Sequence, residues 1–107
     1  ANYEFTYTPY HPPVINDAEI TSMAARAAGR IIGDKNVIIV EKPTMLGEDF
    51  SSFEERVPGT FIFVGNNNEE KGIIHPLHNP EFMVDEEIIH KTSAILCEIA
   101  ILYLNSV

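Results

Sequence analysis

The chain has 107 residues, of which 45% are hydrophobic and 21% are charged, which is the composition of a globular protein with one hydrophobic core. Its net charge of −9 argues against nucleic acid and anionic membranes as partners, because both would repel it. A single cysteine, Cys97, leaves no internal disulfide, and no apolar run is long enough for a membrane span, so we expect a cytoplasmic protein in which this thiol is buried.

The first segment, residues 3–8, alternates aromatic residues with polar ones. This period of two is typical of a β-strand that buries one face. Pro9, Pro12 and Pro13 follow and interrupt strand and helix alike. The prolines therefore predict an extended connector, which is the best candidate for a domain boundary in the chain.

Helical periodicity begins directly after this connector. Apolar residues recur at helical spacing, namely Ile20, Met23, Ala24, Ala27 and Ile31. Asn16 is predicted to cap the start of this helix, since Glu19 stands three residues further on. Gly33 is predicted to end it.

The rest of the chain predicts two more strands and two more helices. Residues 37–40 and 61–64 are short apolar runs, typical of strands buried on both faces. Between them, residues 50–57 predict a short helix, and Asp85 is predicted to cap a last helix whose apolar second half should be deeply packed. The alternation of strands and helices predicts an α/β fold, with a mostly parallel sheet and flanking helices.

Side chains with metal-binding or acid–base chemistry follow both apolar strands. Glu48 and Asp49 come after the first strand, and His75 and His78 come after the second. If the strands are parallel, both loops open at one edge of the sheet. Taken alone, the acidic pair is better explained by the preference for carboxylates at a helix start. The two histidines are better explained as surface residues, since Pro76 prevents them from sharing a helical face.

Four sequence blocks together indicate a specific family. They are YHPPVIND at 10–17, MLGEDFS at 45–51, VPGTF at 57–61 and PLHNPEF at 76–82. In this order, and over nearly the whole chain, they resemble the C-terminal part of the aminoacylase, hippurate hydrolase and auxin-conjugate hydrolase family of metal-dependent amidohydrolases and carboxypeptidases. The second and fourth blocks are specific for this family when they occur together, so chance is a poor explanation of the match.

The resemblance implies a two-domain arrangement. Residues 1–13 would form the last strand of a lid or dimerisation domain and the hinge after it, with Asn16 beside the hinge. Residues 14–107 would form the C-terminal part of a zinc-peptidase-like catalytic domain. Enzymes that the chain resembles form homodimers through the lid domain. We therefore expect a second copy of the same protein as a partner.

The resemblance also assigns site residues. His78 matches the family's last metal ligand, while Glu48 and Asp49 match an acidic pair that supports the pocket. The implied cofactors are two divalent metal ions, zinc or manganese, which would activate a water for attack on the amide bond of an N-acyl amino acid or a small peptide.

No segment matches the family's other metal ligands or its glutamate general base. We therefore expect a C-terminal fragment that contains no catalytic residue and is inactive without the upstream half of the same protein. The alternative is a stand-alone, non-catalytic acidic α/β binding module on the same scaffold. A third option is that the acidic surface keeps an assembly partner soluble. The aromatic segment at residues 3–7 would then be an unpaired sheet edge, through which we expect the isolated chain to aggregate or dimerise.

Overall fold

The computed structural model describes residues 1–106. Its regular elements are three α-helices and two short 3-10 turns, joined by irregular segments. The α-helices are α1 (Ala18–Ile32), α2 (Ser51–Glu54) and α3 (Glu87–Leu104), and the 3-10 turns are Asp34–Asn36 and Glu69–Lys71.

Helix α1 forms where the periodicity predicts it, and its two ends are chemically defined. Asp17 is the N-cap, because its Oδ1 accepts hydrogen bonds from the backbone N–H groups of Glu19 (3.0 Å) and Ile20 (2.9 Å). The prediction that Asn16 is the N-cap is therefore wrong by one residue. Gly33 ends the helix with a φ of 83°, a conformation that side chains with a Cβ disfavour.

The core lies between α1 and α3. Met23, Ala24 and Ala27 of α1 are buried, as is Ile95 of α3. The two alanines allow the helix backbones to approach closely, so a small number of side chains fills this interface. An ion pair between Arg30 and Glu98 (Nη1–Oε1 2.6 Å) crosses the rim, where exposure to solvent limits its contribution to stability.

The predicted α/β fold with a mostly parallel sheet is wrong, because residues 1–106 contain no strand. Residues 3–8, 37–40 and 61–64 have the composition of strands but run without a paired neighbour. Ile38 and Phe63 consequently remain 82% and 59% exposed. The sequence pattern indicates a preference for extended backbone. A β-strand additionally needs hydrogen bonds to the N–H and C=O groups of a second strand.

Helix α3 is confirmed, but the deep packing predicted for its second half is wrong. Among the regular elements of residues 1–106, only α1 packs against it, so one face is covered while Leu96, Tyr103 and Leu104 stay at least half exposed. Cys97, predicted to be buried, is also exposed. Within the described part of the chain, no helix combines the length and hydrophobicity that a membrane crossing requires.

The chain exposes far more surface than a compact protein of its mass. Its accessible surface is 9209 Å², whereas a folded monomer of 12.0 kDa exposes about 6,000 Å². Its radius of gyration is 17.4 Å, compared with about 13 Å for a compact domain of this length. Much of the additional surface is apolar, so most of the hydrophobic residues lie outside the core.

Candidate functional site

The predicted metal ligand, His78, lies in a tight turn. The backbone N–H of Asn79 donates to the carbonyl oxygen of Pro76 (3.2 Å), which places Leu77 and His78 at the two central positions. His78 has a φ of 67° and is the only non-glycine residue with a positive φ among residues 1–106. This conformation costs about 1–2 kcal/mol for a residue with a Cβ. The backbone is therefore strained at the residue that carries the exposed imidazole.

A second turn follows the first without a break. The carbonyl oxygen of Asn79 accepts from the N–H of Phe82 (3.0 Å), and its Oδ1 accepts from the N–H of Glu81 (2.8 Å). Pro80 occupies the second position of this turn, which its fixed φ favours. Residues 76–82 thus form two linked turns with Asn79 at the junction.

His75 lies near the other end of these turns and has a carboxylate neighbour. Its Nε2 is 3.5 Å from Oε2 of Glu81, a contact that becomes an ion pair when the imidazole is protonated. It also lines a cavity of about 240 Å³ together with Ile73, Leu77 and Phe82.

Glu48 and Asp49 lie at the start of α2. The carbonyl oxygen of Glu48 accepts from Oγ of Ser51 (3.0 Å), and its Oε1 accepts from the N–H of Phe50 (3.4 Å). Asp49 is exposed, and its carbonyl oxygen accepts from the N–H of Ser52 (2.9 Å). The acidic pair therefore stabilises the first turn of α2. Its predicted role in supporting a metal pocket stays a prediction.

Asn16 joins the connector to the segment after α2. Its Nδ2 donates to the carbonyl oxygen of Phe61 (3.2 Å), and its Oδ1 accepts from the N–H of the same residue (2.8 Å). The N–H of Asp17 donates to the carbonyl oxygen of Gly59 (2.8 Å) beside it. The predicted boundary between residues 1–13 and 14–107, with Asn16 at the hinge, remains a prediction, and Val107 lies outside the described residues.

A polar network at the start of α3 was not predicted from the sequence. Nζ of Lys71 lies 2.8 Å from Oδ1 of Asp85 and 2.8 Å from Oε1 of Glu87, and Nδ2 of Asn68 lies 2.7 Å from Oδ2 of Asp85. The hydrogen bond from Lys71, followed by that from Asn68, lowers the pKa of Asp85 to about 2. The same contacts raise the pKa of Lys71 and lower the pKa of Glu87. The network is therefore fully charged near neutral pH.

Asn66 completes this network through backbone contacts. Its Oδ1 accepts from the N–H of Asp85 (2.7 Å), and its Nδ2 donates to the carbonyl oxygen of Met83 (2.7 Å). In the run of three asparagines, residues 66–68, two of the side chains hold a segment 17 residues or more away. Together these contacts tie residues 66–68 to residues 83–85, so both ends of the loop that carries His78 are held.

The comparisons with known proteins identify the family. Residues 2–101 match the sequence model of peptidase family M20/M25/M40, and the chain belongs to this family. Its members include amidohydrolases, deacetylases and carboxypeptidases, which confirms the predicted resemblance. No solved structure matches the chain.

Three relatives illustrate the similarity. The chain is 35% identical over 107 residues to N-acetylcysteine deacetylase of Bacillus subtilis, matching 100% of this chain and 26% of that protein. It is 34% identical over 79 residues to thermostable carboxypeptidase 1 of Saccharolobus solfataricus (74% and 19%). It is 33% identical over 96 residues to IAA-amino acid hydrolase ILR1-like 6 of Arabidopsis thaliana (89% and 20%). The chain thus spans about a quarter or less of the length of these relatives.

Enzymes of this family generally use divalent metal ions. The exposed imidazole of His78 has the donor chemistry that zinc and manganese accept, so it fits the part of a single ligand. Within residues 1–106, however, no three His, Cys, Asp or Glu side chains come together in a group that could hold an ion. Glu48, Asp49 and His78 therefore do not make a metal site by themselves.

Proposed function

We propose that this chain is part of a metal-dependent amidohydrolase that hydrolyses the amide bond of N-acyl amino acids or small peptides. The observation that carries the proposal is the family match over residues 2–101, together with relatives whose names describe deacetylation, carboxypeptidase activity and hydrolysis of IAA–amino acid conjugates. These reactions share one chemical step, the attack of water on an amide carbonyl.

In this proposal His78 is one ligand of a site for two divalent ions, zinc or manganese. When bound, these ions would polarise the amide carbonyl and lower the pKa of a coordinated water toward about 7. The strained turn supports the assignment, because strained backbone is concentrated at functional positions. Glu48 and Asp49 support the pocket by holding the first turn of α2, and Asn16 lies beside the hinge that follows residues 1–13.

The remaining metal ligands and the general base would come from the upstream half of the same protein. Two observations support this division of the site. The chain matches 26% of the length of the N-acetylcysteine deacetylase, and it exposes about 3,000 Å² more surface than a compact chain of its mass. Residues 1–106 therefore form an incomplete site, and the chain is inactive alone. The whole protein would be a cytoplasmic homodimer, paired through its lid domain, with no nucleic acid or membrane partner.

The test uses the full-length protein and a panel of N-acetyl, N-benzoyl and indole-3-acetyl amino acids with dipeptides. We expect hydrolysis by the wild-type protein, its loss on chelation of divalent metals, and a decrease of at least about 100-fold in His78→Ala. His90→Ala, which changes an exposed histidine of α3, is the matched control and should remain active.

Two results would contradict the proposal. Full activity of His78→Ala would remove this residue from the site. Absence of hydrolysis across the whole panel, by a folded and metal-loaded wild-type protein, would instead favour the alternative of a non-catalytic acidic binding module.

A further inference from the structure

We propose that the second half of α3 is an interface and that the upstream part of the same protein covers it. This inference rests on the proposed function, in which an upstream half completes the site. It goes beyond that function because it names the surface of this chain on which the two parts meet.

Two rows of side chains run along α3 on the side that α1 leaves uncovered. Ile95 is buried, and Glu98 pairs with Arg30 of α1, so these two residues mark the covered side. Six other side chains of residues 96–104 are exposed. Their spacing of four and then three residues aligns them in two adjacent rows along the helix, namely Leu96, Ala100 and Tyr103, and Cys97, Ile101 and Leu104.

This uncovered face, defined by the six residues, has the composition of an interface core. None of the six is Asp, Glu, Lys, Arg or His, and the four large aliphatic and aromatic side chains are at least half exposed. Monomeric proteins rarely leave a contiguous apolar surface of this kind open to water. The first half of α3 differs, because its exposed residues include Glu87, His90 and Lys91. The uncovered face therefore fits an apolar, uncharged partner surface.

The area to be covered favours the rest of the same protein over a second copy. The chain exposes about 3,000 Å² more surface than a compact chain of its mass. Even permanent dimers hide only about 1,000–2,500 Å² per partner, so a second copy would leave part of this surface open. The proposed homodimer also pairs through the lid domain and not through α3. By contrast, the match covers 26% of the N-acetylcysteine deacetylase, so most of a protein of this kind is available as cover.

Cys97 reports on the uncovered face without any substitution, because its thiol is exposed in residues 1–106. The folded full-length protein is treated with N-ethylmaleimide, and modification of Cys97 is followed by mass spectrometry of the tryptic peptide that contains it. If the face is covered, the thiol reacts only after local opening, so we expect labelling at least about 100-fold slower than in the urea-unfolded protein.

The matched control is His90→Cys, which places a thiol on the exposed first half of α3. It should react at nearly the rate of the unfolded protein. Trypsin cleaves after Lys91, so the two thiols of this variant lie in separate peptides and are measured in the same sample.

A second measurement tests packing instead of access. Leu96→Ala should lower the unfolding temperature of the full-length protein by a few degrees, because it removes a packed side chain. Lys91→Ala, on the charged first half of the helix, is the control and should leave the unfolding temperature unchanged.

Dilution separates the two possible occupants. Cover by the upstream part is covalently linked, so the protection of Cys97 should not depend on protein concentration. Protection that disappears as the protein is diluted to monomers would show a second copy on this face and would overturn the inference.

The failure of this inference is distinguishable from the failure of the proposed function. Rapid labelling of Cys97 in a folded protein that hydrolyses its substrates would overturn the interface and leave the function standing. Concentration-independent protection of Cys97 in a protein that hydrolyses no member of the panel would support the interface and refute the function.

Discussion

Asn16 and Phe61 exchange two hydrogen bonds although 45 residues separate them, with Nδ2 of Asn16 3.2 Å from the carbonyl oxygen of Phe61 and Oδ1 2.8 Å from its N–H. An asparagine side chain here takes the place that a neighbouring strand would take in a sheet. It satisfies both backbone groups of Phe61 and fixes the start of α1 against the segment that follows α2.

Replacing Asn16 by alanine should therefore destabilise the chain by about 1 kcal/mol, since the two bonds are exposed to solvent and each contributes modestly. Asn16→Asp keeps the acceptor but sets a carboxylate oxygen against the carbonyl oxygen of Phe61, so its loss of stability should be at least as large. Urea denaturation measures both changes. Asn2→Ala, in the exposed N-terminal segment, is the control, and equal stability of Asn2→Ala and Asn16→Ala would disprove the role of this contact.

The Lys71–Asp85 pair predicts a specific dependence of stability on pH. The pKa of Asp85 falls from 3.8 to about 2 in the folded chain, mainly through the hydrogen bond from Lys71. A lowered carboxyl pKa stabilises the fold above the unfolded pKa, and this stabilisation disappears as the pH falls through the folded pKa. Thermal unfolding temperature should therefore decrease between about pH 4 and pH 2.

Removing the lysine tests the cause of this dependence. Lys71→Met should flatten the decrease between about pH 4 and pH 2, because Asp85 then keeps a more ordinary pKa. Lys35→Met changes an exposed lysine outside this network and should leave the profile unchanged. The pKa of Lys71 is shifted upward, whereas that of Asp85 is shifted downward. The stabilisation of the fold by the Lys71 ammonium is therefore lost only at alkaline pH, above about 10.5. Identical acid profiles for Lys71→Met and wild type would refute the assignment.

The sequence predicted the helices better than it predicted the sheet, and the reason is the range of the interactions involved. Helix α1 depends on its own periodicity and on a cap next to it, all of which are local in the sequence. Residues 37–40 have equally clear strand composition, but a strand depends on a distant partner that residues 1–106 do not provide. The apolar second half of α3 stays exposed for the same reason, because its burial also depends on a distant partner.

For the candidate site, the sequence identified the residue but not its surroundings. Motif blocks singled out His78, whereas its positive φ and the two linked turns around it gave no signal in the sequence. The contacts from Asn66 to Met83 and Asp85 span 17 and 19 residues, and a run of asparagines predicts only a turn. A side chain that bridges distant backbone leaves no periodic signal, so such contacts are visible only in three dimensions.

The exposed aromatic segment predicts that the isolated chain self-associates. Tyr3, Phe5 and Tyr7 are 92%, 76% and 76% exposed, and apolar surface of this kind associates in water. Light scattering should show dimers or larger species, and replacing all three residues by serine should reduce their amount. A monodisperse monomer of the unmodified chain would contradict this prediction.

We propose that His78 is one ligand of a metal site that residues 1–106 do not complete. Isothermal titration of the 107-residue chain with zinc tests this claim directly, because the ligands present in the chain set the stoichiometry of tight binding. We expect that no two-zinc complex forms and that any binding is weak. Tight binding of two zinc ions per chain would contradict it, since this chain would then hold a complete site of its own.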